Sequence, residues 1–315
     1  MLGRTANGIF WMYRYLERAE NTARLLAAGH RMTLTRGPDD ASEEWRSVLT
    51  TLGLHEAYKQ SHEDYTGAHV CDFVLRSRAN SQSVLSMVER ARSNARTCRS
   101  AITAEVWEAV NEGWMTLSEM LARPVRESNL GAVLATIRRE STLARGATYG
   151  SMLRNETYAF ARAGTFLERA DNTARILDVK YYLLLPSLSY VGTALDSSQW
   201  DNVLRSLSGE RAYSWLNAGR MDARSIAEFL ILDDRFPRSL AFCLIEMRDN
   251  LSQLARMHGG QVGVADEAMR RADARLDGKT VEDIFDQGLH QFLTDFILAS
   301  RGVANAIAEQ YRFVS

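Results

Sequence analysis

Lysine is nearly missing from this chain of 315 residues: Lys59, Lys180 and Lys279 are the only three among 38 basic residues. Its positive charge is therefore almost all guanidinium, a planar fork that suits carboxylates and phosphates and tolerates burial better than an ammonium does. A host with arginine-rich codons would produce the same imbalance. A charge excess is missing too, since the formal net charge is −1. That removes the electrostatic case for nucleic acid or an anionic membrane as partner. Proline occurs only at Pro38, Pro124, Pro186 and Pro237, which leaves long stretches free to run as helix. Cys71, Cys98 and Cys243 are odd in number, far apart and without CxxC spacing. They fit reduced thiols in a cytoplasmic protein rather than a disulfide framework or a zinc site. Arg4, Arg14, Glu17, Arg18 and Glu20 interrupt the stretch where a secretory signal would lie. The most apolar stretch, Ile176 to Val191, carries Asp178, Lys180 and Pro186 and is too short and polar to span a bilayer. The expectation is a soluble, cytoplasmic chain with no membrane and no nucleic-acid partner.

Familiar catalytic signatures are missing as well. There is no Gly-x-x-x-x-Gly-Lys-Ser/Thr loop, and Gly259-Gly260…Gly263 has the wrong spacing and context for a dinucleotide fingerprint. The six histidines include no His-Glu-x-x-His and no Glu-x-x-His pair, so no metal site is expected. His62 and His69 stand seven apart and read as two surface histidines. No Gly-x-Ser-x-Gly elbow occurs. Carboxylates, arginines and asparagines remain, enough for binding or acid–base work.

What is present is helical periodicity. Apolar residues recur at spacings of three and four over roughly 6–33, 43–53, 67–76, 81–110, 130–153, 155–185, 199–207, 223–233, 238–257 and 280–311. Breaks fall at Gly37-Pro38, Arg123-Pro124, Pro186-Ser187, Phe236-Pro237 and Gly259–Gly263. Hairpin-bounded alternating stretches are missing, so the fold class is all-α.

The chain also resembles itself. Leu-Glu-Arg-Ala-Glu-Asn-Thr-Ala-Arg-Leu-Leu at 16–26 matches Leu-Glu-Arg-Ala-Asp-Asn-Thr-Ala-Arg-Ile-Leu at 167–177, with nine of eleven positions identical. Trp45…Leu49 parallels Trp200…Leu204, and Ala57-Tyr58 parallels Ala212-Tyr213. Farther on, Val70…Phe73 parallels Ile226…Phe229, and Ser83…Asn94 parallels Ser239…Asn250. The offset creeps from 151 to 156, as small loop insertions require. The expected architecture is a pseudo-symmetric helical bundle from an internal duplication, with halves at 1–153 and 154–315 packed as one compact unit.

On a helical wheel, Met12, Tyr15, Leu16, Ala19, Ala23 and Leu26 form a core stripe. Glu17, Glu20, Asn21 and Arg24 cluster opposite, with Arg18 at the flank. Glu168, Arg169, Asp171, Asn172 and Arg175 repeat the arrangement. Glu20 with Arg24, and Asp171 with Arg175, are spaced to pair along the helix at about 0.2–0.5 kcal/mol each if exposed. A solvated face should drift between copies as freely as the loops, and this one has not. The set is therefore either a buried network tying the halves together or a ligand cleft between them. A second polar segment places Arg92, Arg96 and Arg99 on one side of a helix, with Asn94 beside them and Glu105 and Asn111 following. Such a row is either a solvated, ion-paired face or a bidentate receptor for carboxylate or phosphate.

The opening Met1-Leu-Gly-Arg, the segment Trp11–Arg24, its second copy at Phe166–Asp178 and the stretch Ala91…Asn111 together resemble the bacterial alpha-E family, a helical domain with a Glu-Arg motif. The likeness covers essentially the whole chain. It departs just before each motif, where the family's Gly-Arg is replaced by Tyr13-Arg14 and by Gly164-Thr165. The resemblance implies a partnership with a circularly permuted ATP-grasp protein, which would bring ATP and magnesium, this chain binding no cofactor itself. The implied function is one subunit of a two-component ATP-dependent amide or peptide ligase acting on a peptide or amino acid. In that scheme Glu17 and Glu168 would orient or deprotonate the amine. The substrate-binding candidates are Arg18, Glu20, Asn21, Arg24, Arg92, Asn94, Arg96, Glu105, Asn111, Arg169, Asp171, Asn172 and Arg175, with the motif arginines on a carboxylate or acyl phosphate. The alternative is a non-catalytic helical adaptor whose Glu-Arg helices form a buried structural network.

Overall fold

The computed structural model describes residues 1–34, 38–183, 194–217 and 221–313, with side chains placed for all of these except 38–40, 180–183 and 194–197. The chain is all-α, and no strand occurs among the described residues. It divides into two compact units, Met1–Thr165 and Phe166–Ser315. The first holds α1 (Gly3–Thr33), α2 (Pro38–Thr51), α3 (His55–Lys59), α4 (Gly67–Leu75), α5 (Val84–Thr97), α6 (Ala104–Met120), α7 (Glu127–Ser151) and the start of α8 (Glu156–Leu183). The second holds the rest of α8, then α9 (Ala194–Ser206), α10 (Glu210–Asn217), α11 (Ala223–Ile231), α12 (Leu240–Met257), α13 (Val264–Asp273), α14 (Val281–Gln287) and α15 (Leu289–Gln310).

The division falls inside α8 rather than in the loop before it, because the first turns of α8 pack within the first unit. Glu156 pairs with the N-terminal amine at 2.6 Å, and Tyr158 meets Tyr149 edge-on. Gly164 lies so close to α1 that a Cβ there would stand 2.4 Å from the Phe10 carbonyl oxygen. Gly164 permits this contact, while Tyr13 is buried, its hydroxyl paired with Thr148 Oγ1.

Several starts are set by side-chain caps. Thr66, Ser83, Thr103, Asp222 and Ser239 each accept a hydrogen bond from the amide three residues on, satisfying a donor the first turn leaves open. The stretch expected as one helix over 81–110 is broken at Cys98–Thr103, where a 3-10 turn at Arg99–Ala101 and extended Ile102 precede the Thr103 cap. The helix then runs ten residues beyond the expected end, to Met120. Within 280–311 the break is Gly288, whose φ of 95° ends α14 before α15 begins. Helix α13 follows the expected break at Gly259–Gly263, in a stretch whose apolar positions are mostly alanine. The expected break at Pro186-Ser187 lies outside the described residues.

The cores of the two units use matching devices. Tyr58 packs edge-on against Phe73, centroids 5.2 Å apart, and Tyr213 packs against Phe229 at 5.4 Å. Trp45 and Trp200 are both buried, and Ser83 and Ser239 cap the following helix alike.

Candidate functional site

The motif's polar side faces inward. Glu17 and Glu20 are 1 % and 0 % exposed, and Asn21 is buried beside them. They meet α7, whose Ser141, Arg145 and Thr148 recur at spacings of four and three and so share one helical stripe. Ser141 Oγ donates to the Leu16 carbonyl at 3.2 Å. Arg145 Nη1 donates to Glu17 Oε2 at 3.3 Å and to Glu20 Oε2. Arg24 approaches Glu20 from the other side, with Nε and Nη2 donating to Oε1 at 3.0 and 2.6 Å. Two carboxylates and two guanidiniums thus neutralise one another along a polar seam between α1 and α7. At its far end Tyr13 stays a phenol, because burial raises its pKa and so disfavours the phenolate.

Arg145 was not visible as a site residue. Its signal was the row Ser141, Arg145 and Thr148 at helical spacing, and only the partner helix gives that row meaning.

In the second unit, Arg175 forms a two-pronged pair with Asp171, at 2.6 and 3.3 Å, the same spacing as Glu20 and Arg24. Asp171 keeps about a fifth of its side-chain surface exposed, where Glu20 keeps none. Glu168 and Arg169 are buried. Arg169 lies over the Phe166 ring at 5.0 Å and donates to the Pro237 carbonyl at 3.2 Å. Thr173 donates to the Arg238 carbonyl at 2.8 Å, so this copy of the motif grips the turn that leads into α12. Asn172 is half-buried.

The expected arginine row does not stay on one helix, since α5 ends at Thr97 and Arg99 falls in the 3-10 turn beyond it, but two of its members lie over aromatic rings. Arg92 sits over Trp114 at 4.1 Å and donates through Nε to Asn111 Oδ1 at 2.8 Å. Arg99 lies over Trp107 at 5.7 Å, while Arg96 and Glu105 are exposed. Asn94 points elsewhere, into a shallow groove of about 320 Å³ between α1 and α5. Trp11 and Tyr15 form its wall, with rings 5.4 Å apart and tilted by 35°. Arg90, over the Tyr15 ring at 6.0 Å, and Ser93 form its rim. Tyr15 thus leaves the core stripe assigned to it and is only half-buried.

His62 and His69 do not stand alone. Their rings are 5.8 Å apart, His62 stacks on Tyr58 at 4.4 Å, and His69 bonds Asp64 at 2.7 Å. No group of three metal-ligating side chains occurs among the described residues, and no described helix is long and apolar enough to cross a membrane.

No curated protein and no solved structure matches the chain. A family model described as a predicted alpha-helical domain with a conserved ER motif matches residues 1–312; the chain belongs to the Alpha-E family.

Proposed function

We propose that this chain is the acceptor-holding subunit of a two-component ATP-dependent amide ligase, and that its Glu-Arg helices are structural rather than proton-transferring. The ATP-grasp partner makes an acyl phosphate from a carboxylate and ATP. The acceptor amine then displaces phosphate, and this chain's share is to hold one of the two substrates. The partnership rests on the family. The division of labour rests on one observation: Glu17 and Glu20 are closed off from solvent and engaged by Arg145 and Arg24. A general base must come within hydrogen-bond reach of the proton it takes, and a buried carboxylate already engaged by guanidiniums does not meet that need.

The test is reconstitution with the ATP-grasp partner, following amine-dependent release of ADP. Glu17→Gln is expected to lower the stability of the first unit while leaving turnover per folded molecule within about threefold, since a structural group contributes no transition-state interaction. A loss of turnover of a hundredfold or more in a variant that still folds and binds the partner would restore Glu17 as the acid–base group. Failure of any ATP-grasp protein to associate or respond would leave the adaptor reading.

A further inference from the structure

The groove between α1 and α5 has the makings of a ligand site that the motif helices do not. Its lining is Asn7, Gly8, Trp11, Tyr15, Arg90, Ser93 and Asn94, which includes no carboxylate. The guanidinium of Arg90 makes no ion pair with any described residue, whereas Arg24, Arg145, Arg76 and Arg175 each hold an acidic side chain. Arg90 is instead held against the Tyr15 ring. Stacking orients the planar fork while leaving its N–H edge open. One turn on, Asn94 adds an amide and Ser93 a hydroxyl. These donors border a tilted pair of aromatic rings, so an occupant must combine an anion with an apolar or planar group a few ångströms away. The volume is at the small end for ligand sites, room for one or two residues of a peptide. The floor is fixed, since α1 and α5 close up where a Cβ on Gly8 would meet Cys98 Sγ at 2.6 Å. The second half does not repeat this set. At the matching offsets it has Arg162 and Phe166 for the two rings, Glu246 for Arg90 and Asp249 for Ser93. Asn250, matching Asn94, spends its amide on the Glu246 carbonyl at 2.7 Å.

We infer that this groove binds the terminal carboxylate of a short peptide, with Arg90 and Asn94 on the carboxylate and an apolar or aromatic side chain laid against Trp11 and Tyr15. Carboxylate is favoured over phosphate because a single planar fork beside one amide matches a planar, singly charged group. The inference stands on the groove alone and does not require the ATP-grasp partnership.

The experiment is calorimetric titration of the full chain with the dipeptide Ala-Phe, with its C-terminal amide and with inorganic phosphate. Saturable binding of Ala-Phe is expected, with the amide weaker by about tenfold or more, the factor one charge-assisted hydrogen bond supplies. Arg90→Gln should cost Ala-Phe a similar factor, and Asn94→Ala several-fold, both with an unchanged helical spectrum. Arg123→Gln, at an exposed arginine outside the groove, should have no effect. No saturable binding of Ala-Phe, equal binding of acid and amide, or indifference to Arg90→Gln would overturn the inference. Phosphate displacing Ala-Phe at lower concentration would overturn the choice of carboxylate.

Discussion

Replacing Arg145 by methionine tests the seam most directly. Methionine keeps most of the stem but removes a cation that touches both Glu17 and Glu20. Glu20 keeps Arg24 on Oε1 and loses the partner on Oε2. The two carboxylates then lose their shared cation at a place where water has almost no access, since they are 1 % and 0 % exposed. Breaking a buried pair by removing one partner costs about 3–5 kcal/mol. Arg145 itself is 18 % exposed, so water can enter the gap it leaves, and the lower end, about 3 kcal/mol, is the expectation. At about 1.4 kcal/mol per tenfold, amides of α1 and α7 should exchange more than about a hundredfold faster under native conditions. Peptides from α13 and α15 should be unaffected. Hydrogen-exchange mass spectrometry resolves these segments separately, which a single melting curve on a two-unit chain does not. Exchange within about threefold of wild type would refute the idea that this cation holds the helices together. A combined Glu17→Leu, Glu20→Met, Arg145→Met chain should recover most of the loss, because an apolar set of similar volume carries no desolvation debt.

Gly164→Ala should destabilise the first unit by about 1–3 kcal/mol, since the new methyl is driven into a backbone carbonyl that cannot rotate away. Gly146→Ala, on the same assay of thermal melting, should be neutral or stabilise by up to about 1 kcal/mol, because nothing lies within 4 Å of its Cβ. Cys71, pushed up to about 12 by burial, has only about one thiolate in ten thousand at about pH 8. Iodoacetamide should therefore label its peptide at least about a hundredfold more slowly than a free thiol; fast labelling in the folded state would show the site to be open. Hydrogen bonds from Arg235 hold the Asp233 carboxyl below its usual range. Its contribution is thus present above the unfolded value of about 3.9 and lost as pH falls through the lower folded one. Urea midpoints of wild type and Asp233→Asn should differ at about pH 6 and converge near about pH 2; a gap unchanged at low pH would count against it.

The helical class and the pairs Glu20–Arg24 and Asp171–Arg175 were legible in the chain, because each depends on residues within one or two turns. Where alanine or glycine carries the pattern, as in α13 and around Gly288, periodicity has little contrast and boundaries were lost. The direction a polar face takes was legible only as an alternative. Glu17 and Glu20 look the same on a wheel whether water or α7 lies opposite, and the residue that decides it, Arg145, is more than a hundred positions away. Tyr15 shows the opposite failure: it belongs to the apolar arc by angle, yet it sits where α1 and α5 leave a groove. Arg92 and Arg99 were seen as charge, and their resting places on Trp114 and Trp107 could not be.

The seam also works as a gauge of alignment. Apolar helices tolerate sliding past one another, since one leucine contact replaces another at small cost. Here a shift of one turn between α1 and α7 would carry Arg145 away from both carboxylates and leave ionised groups against hydrocarbon. Misaligned packings of the first unit are thereby penalised more than the correct one is rewarded. A chain given the apolar replacement set should match the parent in stability and yet lose sharpness in its α1 and α7 resonances, as several alignments become nearly equal in energy.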